Sequence, residues 1–196
     1  MAAVNIIAPI FLTSTAFAED GVAAFSTICY YFPIIFMVLN SMSQSAQPII
    51  SYNMGVGAHQ RVRKAFHLTI IYAVVFAACV IVGINFCAPA MVGVFLKSGT
   101  PAYNFAVEGM PYFSFGYIFL AINMMYMGYY QSIERYKIAN IIAFIRGFVL
   151  LPVCFIVVPM ISGRTGVWFA VPLVELLTVI VLFGVKFWAT PKYNPS

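Results

Sequence analysis

Apolar residues fall into six long runs, roughly 1–18, 22–51, 65–96, 102–131, 138–160 and 166–188. Each run approaches or exceeds the ~20 residues that cross ~30 Å of hydrocarbon as a helix. Polar or turn-forming residues interrupt them at Glu19-Asp20-Gly21, Gly55–Lys64, Lys97–Thr100, Glu134–Lys137 and Ser162–Gly166. The runs are too long and too uniformly apolar for the alternation of a barrel strand, and backbone groups in lipid must be satisfied within the segment. The pattern predicts an all-α membrane protein, a bundle of six transmembrane helices forming a single unit over 1–196 with no soluble domain, linker or internal repeat.

Composition fixes the solvent. The chain is 63% hydrophobic and 8% charged, with a mean hydropathy of +0.98, whereas soluble domains carry about 25% charged residues. The net charge of +5 does not point to nucleic acid, because the cations cluster at segment ends. Arg61, Arg63, Lys64, Arg135, Lys137, Lys186 and Lys192 lie at alternate breaks and the C-terminus, against Lys97 and Arg164 on the other side. By the positive-inside rule both chain ends are expected in the cytoplasm. Thr15–Ala18 resembles a signal-peptidase site, but Met1–Ala8 has no cationic region. The first run therefore reads as a span whose N-terminal end is missing or short.

Candidate chemistry is sparse. Cys29, Cys79, Cys87 and Cys154 sit in apolar runs without C-x-x-C spacing, and His59 and His67 lack acidic or thiol neighbours. Neither a disulfide framework nor a metal site is expected. There is no phosphate-binding Walker loop, no G-x-S-x-G and no H-E-x-x-H, so the chain reads as a non-enzyme without ATP or another cofactor. Any work must come from an ion gradient.

Polar side chains inside the spans are costly and point to function. Asn40, Gln44, Gln47 and Ser51 follow i, i+4, i+7, i+11 spacing and share one helix face, with Ser43 beside it. Such a stripe either hydrogen-bonds a neighbouring helix or faces a wet cavity. Asn123 lies eight residues from Gln131, about 12 Å deep. Arg146 is nine residues past Lys137 and Glu175 nine past Gly166, each about 13 Å in from opposite sides. Their helices are sequential and antiparallel, which predicts a buried Arg146–Glu175 ion pair, either a structural clamp or part of ion or proton coupling. Pro9, Pro33, Pro48, Pro111, Pro152 and Pro172 lie within spans and bend or break them. Tyr112, Phe113, Phe115, Tyr117, Phe119, Met124, Met125, Tyr126 and Met127 enrich the fourth run. They suit either a wall for flat lipophilic cations or ordinary packing.

Three ordered motifs resemble one family. QPIISYNMGVGAHQRVRKAF (Gln47–Phe66), MGYYQSIERYKIANIIAFIRGFVLLP (Met127–Pro152) and TGVWFAVPLVELLT (Thr165–Thr178) are similar to segments of the multidrug and toxic compound extrusion (MATE) family. The resemblance covers nearly the whole chain. It implies one lobe of a twelve-helix transporter, helices seven to twelve, with the seventh beginning near Met1. It implies export of cationic lipophilic drugs in exchange for Na⁺ or H⁺ by alternating access. The partners implied are the lipid bilayer, small cationic substrates, and an N-terminal lobe or a second copy; the location implied is the inner membrane. Asn40, Gln44, Gln47, Asn123, Tyr126, Arg146 and Glu175 are the expected substrate and ion pathway. Several members place an acidic residue where Asn123 stands here. Asn cannot release a proton, so proton coupling at that position is lost or moved to the other lobe. Two alternatives are a truncated, non-transporting lobe and a flippase for lipid-linked substrates, which would favour more deep cations than Arg146 alone.

Overall fold

The structure, a computed structural model, describes residues 18–189. The predicted span over 1–18 and the C-terminal Lys192 lie outside the described residues. Within them every regular element is helical: α1 (Ala18–Gly55), α2 (His59–Gly93), α3 (Pro101–Ser114), α4 (Gly116–Ser132), α5 (Tyr136–Phe144), α6 (Leu151–Ser162) and α7 (Gly166–Ala189). A π-helical stretch, Ile145–Leu150, joins α5 to α6, and a 3-10 turn, Gly163–Thr165, joins α6 to α7. Turns fall within the four breaks read at Gly55–Lys64, Lys97–Thr100, Glu134–Lys137 and Ser162–Gly166, whereas Glu19-Asp20-Gly21 lies in the opening turn of α1; one span is bent and another changes register.

The fourth run is two helices, α3 and α4, bent by 42° at a short break. Pro111 donates no backbone hydrogen bond, and the Ser114 hydroxyl turns back to the Pro111 carbonyl at 2.6 Å. Gly116 then passes close to α7, where a Cβ would lie 3.1 Å from Pro172 Cα. The fifth run is continuous but changes register. The Leu151 N–H bonds the Arg146 carbonyl, an i→i−5 bond, and Pro152 has no N–H for the Phe148 carbonyl one turn back.

Two turns at one end of the bundle share a geometry. After α1, the Ala58 N–H bonds the Asn53 carbonyl at 2.8 Å and the Gly57 N–H bonds the Met54 carbonyl at 3.1 Å, with Gly57 left-handed at φ 72°. After α4, Arg135 bonds the Tyr130 carbonyl and Glu134 bonds the Gln131 carbonyl in the same pattern, with Glu134 at φ 61°. Both are Schellman caps. Glu134 occupies the glycine position against its Cβ. Glu134→Gly is therefore expected to stabilise the bundle by about 0.5–1 kcal/mol, read as a rise in the unfolding midpoint in detergent. Arg61, Arg63 and Lys64 sit in the opening turns of α2, where the helix dipole disfavours cations.

α4 is the central rod, packed against α1, α2 and α7. The core gathers around Trp168, which is fully buried, stacks 6.0 Å from Phe25 and lies 4.8 Å from Phe105. Phe113 and Phe155 meet Phe25 edge-on, and Tyr117 meets Phe113 likewise. The aromatic side chains Phe113 and Tyr117 thus serve packing rather than a substrate wall. The outer surface is apolar, with Phe86, Ile161 and Phe148 among the most exposed side chains, as expected of helices bathed in lipid.

Candidate functional site

The polar stripe of α1 faces α4, and a glycine permits the approach. A Cβ on Gly128 would fall 2.0 Å from Ser43 Oγ, so any larger residue there would push the Ser43 hydroxyl out of this position. The Ser43 hydroxyl donates to the Met124 carbonyl at 3.3 Å. Gln47 Nε2 donates to Gln131 Oε1 at 3.3 Å, and the Ser51 hydroxyl donates to the Ser132 carbonyl at 3.0 Å. These bonds satisfy part of the stripe by the interhelical route.

The remainder opens into a cavity of about 680 Å³. Asn40, Gln44, Gln47 and Gln131 supply its polar wall, Phe36, Met124 and Met127 its apolar wall, and Arg146 its charge. Both readings of the stripe are therefore realised on one face: hydrogen bonds to α4 on one flank, a polar hollow on the other.

Behind the wall lies a three-residue cluster. Arg146 Nε donates to Glu175 Oε1 at 3.0 Å, and Nη2 donates to the same oxygen. Asn123 Nδ2 donates to Glu175 Oε2 at 2.8 Å and to the Glu175 carbonyl at 2.9 Å. Asn123 is fully buried and Glu175 nearly so. The side-chain exposures are 18% for Arg146 and 4% for Glu175, so the guanidinium stands between the carboxylate and the cavity. The buried Asn123 Oδ1 has no hydrogen-bond partner among the described residues. The π turn carries Arg146, and irregular registers of this kind recur at functional sites.

Asn40, Gln44, Gln47 and Arg146 thus share the cavity, and Asn123 and Glu175 are joined to it through Arg146. Tyr126 stands apart. It is buried against Phe66, ring centroids 4.9 Å apart, and Phe183 at 5.8 Å, and it does not line the cavity. Sequence reasoning missed Gln131, Phe36 and Gly128 as members of the site. The signal for Gly128 was a glycine set between Met127 and Tyr129 in the middle of a bulky stretch of α4.

Residues 1–156 match the profile of the MatE family. The chain belongs to the MatE family. Two solved structures share its fold. One is an outward-facing multidrug resistance MATE family transporter of the MOP superfamily, with a TM-score of 0.80 and 19% identity over 94% of this chain and 43% of that one. The other is a MOP superfamily transporter from Pyrococcus furiosus Vc1, described by a reversed polarity of its binding pocket. It aligns with a TM-score of 0.82 and 19% identity over 97% of this chain and 44% of that one. A sequence comparison with curated proteins returns no match. This MatE chain spans less than half the length of the solved structures it matches. MatE proteins are transporters, not enzymes.

Proposed function

We propose that this MatE chain is a transport lobe of a secondary active antiporter, and that the face built from α1, α4 and the π turn is one wall of its solute path. The observation carrying this reading is an amide-lined hollow, with a buried ion pair in its wall, inside a bundle whose outside is apolar. Lipid has no use for such a face, whereas water and a solute do. The opposing wall would come from a second lobe or a second copy, and a Na⁺ or H⁺ gradient would drive the cycle. The cation-rich turns around 56–64 and 133–137 would face the cytoplasm of a cell whose inner membrane holds the protein.

The cargo is a lipophilic compound that fits the hollow, packed against Phe36, Met124 and Met127. A cationic cargo, the kind the MATE resemblance implies, would draw its counter-charge from the opposing wall, because Glu175 is turned away from this one. A flippase for lipid-linked pyrophosphates is less well supported, since Arg146 is the one cation of this wall.

The test is reconstitution of the full polypeptide in proteoliposomes with imposed Na⁺ or pH gradients. Saturable, gradient-dependent movement of lipophilic compounds is expected. Movement equal to that of empty vesicles under both gradients would overturn the reading.

A further inference from the structure

Resting on that transport reading, we infer that the wall formed by Asn40, Gln44, Gln47, Gln131 and Arg146 holds an anionic headgroup, a carboxylate or sulfonate on a planar lipophilic body, and disfavours cations. The cavity meets only one end of the ion pair. Both oxygens of Glu175 are taken, Oε1 by Arg146 and Oε2 by Asn123, and the carboxylate does not line the cavity. Arg146 does line it. The pair is neutral as a unit but oriented, with its positive end toward the hollow.

A guanidinium has five N–H groups in a fixed fork and no acceptor. Two of the five in Arg146 go to Glu175 Oε1, and the other three meet no acceptor among the described residues. A group entering the hollow beside Arg146 therefore completes the fork only if it brings acceptor oxygens. An ammonium group brings more donors and a like charge, with the nearest carboxylate screened behind the guanidinium. The amides of Asn40, Gln44 and Gln131 add adaptable donors on the same cavity wall, and Phe36, Met124 and Met127 supply an apolar surface for a flat ring. The wall presents one partly used fork and no second cation among its lining residues, which suits a single compact oxyanion rather than a pyrophosphate.

Two probes of equal size and opposite charge test this: radiolabelled 2-naphthoate and 2-naphthylmethylammonium, measured for binding to the full polypeptide in detergent and for uptake into proteoliposomes. Naphthoate is expected to bind about tenfold tighter than the ammonium compound. Gln44→Glu, at a cavity-lining position that the fold does not bury, places a carboxylate in the wall and is expected to erase or invert that ratio. The double variant Arg146→Gln with Glu175→Gln leaves the net charge of the wall unchanged yet removes the fork. It is expected to weaken naphthoate by about tenfold and leave the ammonium compound unaffected. A purely structural pair would affect both probes alike.

Preference for the ammonium compound, or a ratio indifferent to both variants, overturns the anion assignment. Gradient-driven movement of the ammonium compound in place of naphthoate does so too, while leaving the transport reading intact. Naphthoate bound at the Gln44-sensitive site but never moved by either gradient upholds the binding inference and overturns the transport reading.

Discussion

Arg146→Leu is expected to destabilise the protein by about 3–5 kcal/mol, the range for breaking a buried ion pair from one side. It leaves the Glu175 carboxylate among apolar neighbours, held only by Asn123 on Oε2. The converse change, Glu175→Leu, is expected to cost less, because the orphaned guanidinium already borders the cavity and can turn to water there. That asymmetry follows from the burial of the two partners and not from their charges. The double variant Arg146→Met with Glu175→Leu removes both charges and is expected to recover most of the loss. Equilibrium unfolding in mixed micelles measures all three. If the double variant also retains transport, the pair is a clamp and takes no part in ion coupling. Equal losses for the two single variants would show that the carboxylate is as well solvated as the guanidinium.

The second large effect is expected at Gly109. A Cβ there would sit 2.0 Å from Trp168 Cε2 and 2.4 Å from its Nε1. The indole cannot slide aside, because Phe25 stacks on it and Phe105 packs against it. Gly109→Ala is therefore expected to cost about 3 kcal/mol, the upper end for overpacking a filled core. Combining it with Trp168→Leu is expected to return part of that, because the smaller side chain yields the space. Gly83→Ala is the control. Nothing lies within 4 Å of a Cβ at Gly83, so helix propensity alone acts there, and the change is expected to be neutral or stabilising by up to about 1 kcal/mol. Thermal unfolding of the purified protein separates these cases. A Gly109→Ala protein as stable as its Gly83→Ala counterpart would mean that α3 and α7 are not packed as described.

Much of the bundle was legible because hydropathy counts length and charge marks ends. The depths of Arg146 and Glu175, each about 13 Å in from opposite faces, were enough to pair them. The stripe on α1 was legible because one of its flanks borders a cavity, so its polar residues recur at helical spacing. α4 gave no such signal. It is packed on several sides by α1, α2 and α7, and a rod without a solvated face has no amphipathic pattern. Azimuth along it is set by neighbours, which is why Tyr126 points to Phe66 and Phe183 and not to the hollow, and why Phe113 and Tyr117 are core. The bend at Phe115 and the π register at Arg146 are likewise tertiary. Pro111 and Pro152 announce a disturbed backbone, but whether the chain bends or overwinds depends on what packs beside it, here Pro172 against Gly116. Asn123 was read from its depth and from the family resemblance. Its role as a second support for the Glu175 carboxylate appears only once α4 and α7 are side by side.

The central claim is that the polar face of α1 borders water and not lipid, and cysteine accessibility tests it most directly. In a background with Cys29, Cys79, Cys87 and Cys154 replaced by Ala, single cysteines are placed at Asn40 and Gln47 on the cavity face. Others go at Val38 and Ile49, which are exposed on the opposite, apolar side at matching depths. With a membrane-impermeant maleimide applied to proteoliposomes, positions 40 and 47 are expected to react and positions 38 and 49 to stay unlabelled. Equal labelling of both faces, or silence at 40 and 47, would contradict a solvated path along this helix.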